Sequence, residues 1–403
     1  MPVKRPCLFL RRHAYHSAGI GLIEIMIAMV LGLILVGGVI ELFVNSKTTY
    51  RTAEELSRMQ ENARYAMYLI QKDLRMAGYS GCAPSIVNHL NTAGNNYNDT
   101  LFRLDEAVGG WEYSAGGGTG PGDSFTITSL DPSGIGVSSW DDRTGSDLPA
   151  SLQNLVVAGT DVLTIKALGS NQDISVKDNN TINSASINTN SANNIPQYTI
   201  LLITQDCNDA DMFQKRNNAS GATVSRGNGS TSNPGPGNVN PNTLPGFGGA
   251  QKWSTIYGPG AKFLALQSNA YYVGKGTNGE PALFRMSFET GAAGTPQEIV
   301  EGVENIQVLY GVDTDAPEDG IANVYRTIDN VGVGATDGTK VSSVRISLLM
   351  RTVNSVSTDV DTKTDYSMTG HTTATATEID PINDRYLRYV FTSTVKLRNR
   401  GDK

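Results

Sequence analysis

The chain of 403 residues is poor in the side chains that catalytic and metal sites most often use. It has four histidines and three cysteines, and two of the histidines, His13 and His16, lie near the N-terminus. The other two, His89 and His371, are far apart, and no Cys-x-x-Cys or His-x-x-x-His spacing accompanies them. A zinc site or a histidine-based nucleophilic triad is therefore poorly supported. We predict that the protein is not an enzyme.

Positive charge is scarce outside the first residues. Lys and Arg number 32 against 39 Asp and Glu, which gives a net charge of -7. Residues 1–19 hold Lys4, Arg5, Arg11 and Arg12 and no acid, so the remainder has 28 basic against 39 acidic side chains and carries -11. An acidic body argues against nucleic acid as the main partner.

Proline is absent between Pro6 and Pro84, and this stretch contains a long apolar run from Ile20 to Val44. A run of about 25 residues is long enough for a helix to cross a hydrocarbon layer. The basic residues before it predict that its N-terminal side stays in the cytoplasm. Within the run, Glu24 is expected to have a partner or a function, because a carboxylate there costs about 2.5–3.5 kcal/mol on insertion scales.

The segment from Gly19 to Glu24, GIGLIE, resembles the cleavage signal of type IV pilins and type II secretion pseudopilins. The resemblance implies that a prepilin peptidase cuts between Gly19 and Ile20 and N-methylates Ile20, where many relatives have phenylalanine. It also implies that Glu24 pairs with the N-terminal amine of a neighbouring subunit during assembly. Opposite charges attract strongly at low dielectric, and each alone is costly there. A plain signal anchor is the alternative, but it does not explain Glu24.

After Asn45 the apolar pattern changes to a stripe at spacings of three and four, which predicts an amphipathic helix. Gly78 is expected to cap this helix, so that one helix runs from about Ile20 to Ala77, roughly 85 Å at 1.5 Å per residue. The stripe packs either against the protein's own sheet or against other subunits along a filament. Its members are Leu56, Met59, Ala63, Ala66, Ile70, Leu74 and Ala77.

The remainder of the chain predicts a β-rich domain. Short alternating segments with β-branched residues indicate strands, and no helical pattern of comparable length separates them, so the sheet is expected to be largely antiparallel. We predict an α+β fold with a leader at 1–19, a transmembrane and amphipathic helix at 20–78 packed on a globular domain at 79–403, and polar loops near 169–194 and 217–249. The predicted strands are Ser124–Ser129, Asp161–Leu168, Tyr198–Thr204, Ala270–Val273, Ala282–Phe288, Asn305–Val312, 344–351 and 389–397.

Four segments, 73–82 (DLRMAGYSGC), 305–315 (NIQVLYGVDTD), 344–351 (VRISLLMR) and 388–400 (RYVFTSTVKLRNR), are together similar to the PilW family of minor pilins, which is related to the J-type pseudopilin. The resemblance implies a subunit that helps to prime the type IV pilus, sits in its tip complex and supports twitching motility and adhesion. The implied partners are other minor pilins, the major pilin and a tip adhesin.

The implied location follows from the same family. It is the inner membrane, with the C-terminal domain in the periplasm, before assembly, and the pilus at the cell surface afterwards. A J-type pseudopilin of a type II secretion system and a tip-exposed surface-binding module remain the alternatives.

The cysteines predict one disulfide if the domain is exported. Cys7 lies in the leader, so a processed chain keeps two, and an even pair in an exported domain indicates a bridge. Two buried free thiols are the alternative. The resemblance to PilW maps the pair onto Cys82 and Cys207, and a bridge closing so long a loop could contribute about 4–5 kcal/mol in the chain-entropy model.

One acidic segment could bind a cation. Asp313, Asp315, Asp319 and Asn323 offer the hard oxygen ligands that calcium prefers, but residues 316–318 break the spacing of an ordinary calcium loop. The segment is therefore either an acidic turn between strands or a calcium loop. No other cofactor is predicted.

Overall fold

The structure is a computed structural model that describes residues 21–403 except for short gaps. The chain divides into two compact units, Met1–Glu54 and Glu55–Lys403, which are described in turn. The gaps are residues 81–85, 95, 114–123, 128, 133–138, 206–208, 228–233, 241–242, 245–246, 248–250, 332–337, 370–376 and 400–403.

The first unit contains the beginning of helix α1, which spans Leu22–Met76 over 55 residues. None of the residues from Leu22 to Val44 is buried, although most are large and apolar. By length and composition, α1 is the one helix among the described residues that could cross a membrane. The predicted long N-terminal helix is confirmed.

The second unit begins with the rest of α1, whose apolar stripe packs on the protein's own sheets. Six of the seven predicted stripe residues are buried, and Leu56 is partly buried against the same core. The helix ends as predicted, because Gly78 has a φ of 72°, a left-handed conformation that glycine adopts without steric cost. The first interpretation of the stripe is therefore confirmed.

Among the described residues, α1 is followed by eighteen strands and by a short helix, α2 (Asp99–Phe102), which lies between β1 and β2. They are β1 (Ile86–Asn88), β2 (Val108–Tyr113), β3 (Ser124–Thr126), β4 (Trp140–Asp141), β5 (Val162–Ser175), β6 (Ser186–Asn188), β7 (Ile200–Gln205), β8 (Asp209–Gln214), β9 (Thr223–Ser225), β10 (Lys262–Lys275), β11 (Pro281–Ser287), β12 (Gln297–Glu301), β13 (Val303–Val312), β14 (Val324–Arg326), β15 (Val341–Arg351), β16 (Tyr366–Met368), β17 (Thr377–Asp380) and β18 (Arg388–Lys396).

Two sheets carry most of the domain. The larger has nine strands in the order β1-β8-β7-β10-β5-β2-β4, with β11 pairing β10 and β12, and the smaller has the order β14-β13-β15-β18. Two minor sheets, β16-β17-β3 and β6-β9, complete the domain. Only β1 with β8 and β17 with β3 are parallel among the described pairs. The predicted α+β fold with a mainly antiparallel sheet is confirmed.

Each of the eight predicted strand segments overlaps an observed strand. The strands that the sequence did not predict are mostly three to six residues long, too short to show a clear alternation. Strand β10 is longer than predicted. Polar residues such as Ser268 interrupt its apolar pattern in the sequence, but in the structure they are buried and paired with the neighbouring strand β5. Long-range pairing, and not local pattern, determines these elements.

The two predicted polar loops contain more regular structure than we expected. Strand β5 continues into the first, to Ser175, and β6 of the first pairs with β9 of the second. A few apolar side chains from both segments, including Ile187 and Val224, are buried in a cluster around Trp253. Asn193 donates to the carbonyls of Gly221 and Thr223 and ties the segments together. A few apolar residues are enough to order these segments, because side-chain amides make hydrogen bonds with the backbone groups between them.

Candidate functional site

Glu24, the predicted assembly residue, lies in the first turn of α1. Its carboxylate accepts a hydrogen bond of 3.1 Å from the backbone N–H of Gly21, and the N–H of Glu24 donates to the carbonyl of Gly21 at 3.0 Å. The glutamate thus reaches back to the N-cap amide, as in one half of a capping box. Its side chain is exposed, so within this chain it satisfies one helix-terminal donor and stays accessible.

The other residues predicted at the N-terminus and in the disulfide lie outside the described residues. These are Gly19 and Ile20 at the cleavage point and Cys82 and Cys207 of the expected bridge. The cleavage and the bridge therefore stay predictions.

The acidic segment forms a turn after β13 in which three of the four predicted ligands converge. Carboxylate oxygens of Asp313, Asp315 and Asp319 lie within 4.8 Å of one another. The fourth residue, Asn323, donates to Asp315 at 3.1 Å and accepts from the backbone N–H of Thr314 at 2.7 Å. The arrangement is therefore a closed hydrogen-bonded loop.

The carboxylate of Asp313 already has donors from its own chain. Its two oxygens accept the backbone N–H groups of Asp315 at 3.0 Å and Gly320 at 2.7 Å. Burial opposes ionisation, but these donors, together with the Lys340 ammonium, lower the pKa of Asp313 below its usual range. The chain itself thus stabilises the negative charge that a calcium ion would otherwise neutralise.

The strongest cluster of charges surrounds Arg388, the first residue of β18. Its Nε and one Nη donate to both oxygens of Glu304 at 2.6 and 3.0 Å, and both side chains are inaccessible to solvent. The remaining contacts go to Asp384, at 2.7 and 2.8 Å, to Asp361, at 3.1 Å, and to the carbonyl of Ile382, at 3.3 Å. Arg351 joins the cluster through Glu304 at 3.7 Å and Asp384 at 3.8 Å, and it also pairs with Glu280 and stacks on Tyr386. Every guanidinium nitrogen of Arg388 therefore has an acceptor.

The electrostatics of this cluster fix its charge. Burial alone would lower the pKa of Arg388, but hydrogen bonds to Glu304 and Asp384 raise it. Burial raises the pKa of Asp361, but the hydrogen bonds from Tyr366 and Arg388 lower it. The net result is a pKa below the usual range. No local sequence pattern indicates this arrangement, because the partners are far apart along the chain. A lone arginine that begins a β-branched strand is the one signal that could have indicated a buried pair.

Polar contacts also join α1 to the body within the second unit. The buried Glu55 accepts from the backbone and side-chain nitrogens of Asn354, and Asp73 accepts from the Tyr271 hydroxyl at 2.7 Å. Gln71 donates to the Ser393 hydroxyl at 2.9 Å. These contacts fix the register of the helix on the sheets, which apolar packing alone specifies less sharply.

A second buried charged cluster centres on His89 and Asp211, which the sequence analysis did not connect. The Nε2 of His89 contacts one oxygen of Asp211, and the hydroxyls of Ser254 and Tyr257 donate to the other, each at 2.7 Å. Ser254 donates to the aspartate and not to the histidine, so the order of a serine–histidine–aspartate triad is not formed. Burial lowers the pKa of His89, which favours the neutral ring.

The family comparison matches the C-terminal third of the chain. The family model described as PilW, type IV pilus-assembly protein W, matches residues 270–399. This range includes the acidic loop, the Arg388 cluster and β18. The predicted resemblance to the PilW family is confirmed over these residues, and this indicates a structural role related to the type IV pilus.

Comparisons with solved structures and with curated proteins add little to the family match. A type IV-like pilin from Thermus thermophilus is similar at 20% identity with a TM-score of 0.25, over 34% of this chain and 70% of that one. At that score the similarity carries no structural argument. No curated protein matches the chain.

Proposed function

We propose that this chain is a minor pilin of the type IV pilus, a subunit that helps to prime assembly and sits in the tip complex, where it supports twitching motility and adhesion. The observation that carries the proposal is the match of residues 270–399 to the PilW family. An exposed apolar helix at the N-terminus, with a glutamate in its first turn, is the other element that such a subunit needs.

The proposal includes processing and assembly. A prepilin peptidase would cut between Gly19 and Ile20 and methylate the new N-terminus, and the helix would hold the chain in the inner membrane with the body in the periplasm. Glu24 would then exchange its local contact with Gly21 for the N-terminal amine of a neighbouring subunit, the major pilin or another minor pilin. Its exposure supports such an exchange, because no described side chain covers it.

The register of two strands supports the predicted disulfide. Strands β1 and β8 are parallel, and Ile86 pairs with Ala210, 124 positions further along the chain. Cys82 and Cys207 are 125 positions apart and precede these two residues by four and three. Because the strands are parallel, Ile86 and Ala210, the paired residues that follow the two cysteines, lie at the same end of the strand pair. This register supports the proposal that Cys82 and Cys207 form the bridge.

A type II secretion pseudopilin is the main alternative, because the two machines share the helix and its signal. Deleting the gene and measuring both twitching motility and protein secretion separates them. We expect loss of twitching with normal secretion. Loss of secretion with normal surface pili would exclude the proposed function.

Processing and assembly are tested with separate variants. Mass spectrometry of Gly19→Ala should show a chain that keeps residues 1–19, and Glu24→Val should be processed but enter filaments poorly. Glu41→Val, at the far end of the apolar run, is the matched control and should be incorporated normally. Shortened and methylated Gly19→Ala chains would contradict the cleavage site.

A further inference from the structure

Strand β18 is an unusual edge of the four-stranded sheet. It has nine residues. It pairs with β15 without a register shift, from Lys396 opposite Ser343 to Arg388 opposite Arg351. The other terminal strands of the two main sheets are shorter: β14 and β1 have three residues each, β4 has two, and β12 has five with a register shift. Natural proteins blunt edges by shortness, bulges, proline or charged side chains; β18 is long, regular and free of proline, and its charges are the buried Arg388 and, at its last position, Lys396.

The hydrogen-bond pattern identifies the backbone groups at this edge. The Leu397 N–H bonds the Ser342 carbonyl and the Thr352 N–H bonds the Leu387 carbonyl, so odd-numbered residues of β18 face β15. The N–H and C=O groups of the even-numbered residues therefore point away from the sheet, and no described strand pairs with them. These residues are Arg388, Val390, Thr392, Thr394 and Lys396.

The two faces beside this edge differ in chemistry. The odd-numbered face carries Tyr389, whose side chain is 55% exposed, and the partly buried Phe391. The even-numbered face carries the exposed Thr394 and Lys396, with Arg345 on the neighbouring strand donating to Thr394. Arg345 stacks on Tyr325, and neither Arg345 nor Lys396 has a carboxylate partner among the described residues.

We propose that the outer edge of β18 binds an extended strand of another protein in which acidic and apolar side chains alternate. Backbone hydrogen bonds would add this strand to the four-stranded sheet, its apolar residues would pack beside Tyr389 and Phe391, and its acidic residues would lie beside Lys396, with Arg345 one strand further in adding positive charge on the same face. A second copy of β18 fits less well, because it would place basic residues against the same basic face. This edge is available for binding whether or not the chain enters a pilus.

The test uses the full chain in detergent and two synthetic ten-residue peptides, one alternating valine with glutamate and one alternating valine with lysine. Peptide binding is measured by fluorescence anisotropy, and hydrogen exchange of residues 388–396 by mass spectrometry. We expect the acidic peptide to bind and to slow exchange there, and the basic one to do neither. The overall charge of -7 opposes the expected preference, so non-specific attraction would not produce it.

Two variants with matched controls locate the binding. Thr394→Pro removes an outward N–H without breaking the ladder to β15 and should weaken binding at least about tenfold, whereas Thr394→Ala keeps the N–H and should bind normally. Lys396→Glu should invert the preference between the peptides, and Lys177→Glu, an exposed lysine in the larger sheet's region, should not. Equal melting temperatures of each pair confirm folding.

Three results would overturn the proposal. They are unchanged exchange of residues 388–396 at millimolar acidic peptide, equal binding by Thr394→Pro and Thr394→Ala, and protection of β18 that depends on protein concentration without peptide, which would identify a second copy as the occupant. None of these results depends on pilus assembly, so the proposed function is tested separately by twitching and secretion.

Discussion

The two main sheets each bury a cluster of charged side chains, and the two clusters differ in how completely their polar atoms are paired. In the four-stranded sheet, every nitrogen of the Arg388 guanidinium has an acceptor. In the nine-stranded sheet, the Nδ1 of His89 and the Nε of Arg226 are buried without a partner among the described residues. Arg226 is held instead by backbone carbonyls and by its position over Trp253.

This difference indicates two ways of holding distant segments of the chain together. A complete network of permanent charges fixes one geometry and hardly responds to pH near neutrality. A network that contains a neutral histidine holds its loops in place only while the ring stays unprotonated. Buried networks with unpaired atoms are also weaker, because each such atom keeps its full desolvation cost.

The largest effect is expected from breaking the complete network. Arg388→Met leaves Glu304 buried without its main partner and should lower the free energy of unfolding by about 3–5 kcal/mol. Urea unfolding of the full chain in detergent measures the loss. Arg398→Met, an exposed arginine two residues beyond β18, is the control and should change stability by less than about 0.5 kcal/mol. A small effect at Arg388 would mean that the network contributes specificity and not stability.

The predicted disulfide should stabilise the other cluster, because His89 follows β1 directly and Asp211 lies in β8. Loss of a native bridge typically costs about 2–5 kcal/mol, so Cys82→Ser should destabilise the protein by an amount in this range. Cys207→Ser should cost the same, and the double variant no more than either alone. Free-thiol labelling of the unfolded, unreduced protein provides the check, and two reactive thiols in the processed chain would contradict the bridge.

The pH response should distinguish the two clusters further. Burial lowers the pKa of His89, and the pKa of Asp211 is also lowered: burial opposes this, but the contacts with His89, Tyr257 and Ser254 outweigh it. Depressed folded-state values mean that the unfolded chain binds more protons, so this stability is lost as pH falls below about 6.5, the ordinary value for histidine.

We therefore expect the melting temperature to fall by several degrees from pH 7 to pH 5. His89→Gln keeps a donor near Asp211 but does not titrate, and it should show a smaller fall, whereas Arg398→Met should behave as the wild type. Thermal unfolding followed by circular dichroism measures the difference. An equal fall in His89→Gln and wild type would exclude His89 as the titrating group.

The smallest effect is expected from calcium at the loop after β13. Because backbone N–H groups and Lys340 already stabilise Asp313, we expect 1 mM calcium to change the melting temperature by less than about 1 °C, a shift that corresponds to a few tenths of a kcal/mol at most. Asp315→Asn, which keeps an acceptor for Asn323, should behave in the same way. A calcium-dependent rise in the wild type that Asp315→Asn abolishes would instead identify the segment as a calcium loop.

Local pattern was a good guide to α1 and a poor guide to the charged clusters. The stripe from Met59 to Leu74 and the left-handed Gly78 follow from helical spacing and from the conformational freedom of glycine. Asp211 and His89 are 122 residues apart and Arg388 and Glu304 are 84 apart, so no periodicity connects them. The acidic loop lies between these cases: its residues are close in sequence, but only the fold decided which donors their oxygens accept.

The sequence by itself determined the long N-terminal helix, the exposure of its apolar half and the largely antiparallel body, since each of these follows from a repeat of a few residues. Only the tertiary structure decided which strand forms the edge of the smaller sheet and which buried charges meet. The physical reason is that strand order and ion pairing depend on contacts between distant segments, where many arrangements bury similar apolar area and only one satisfies the polar groups as well.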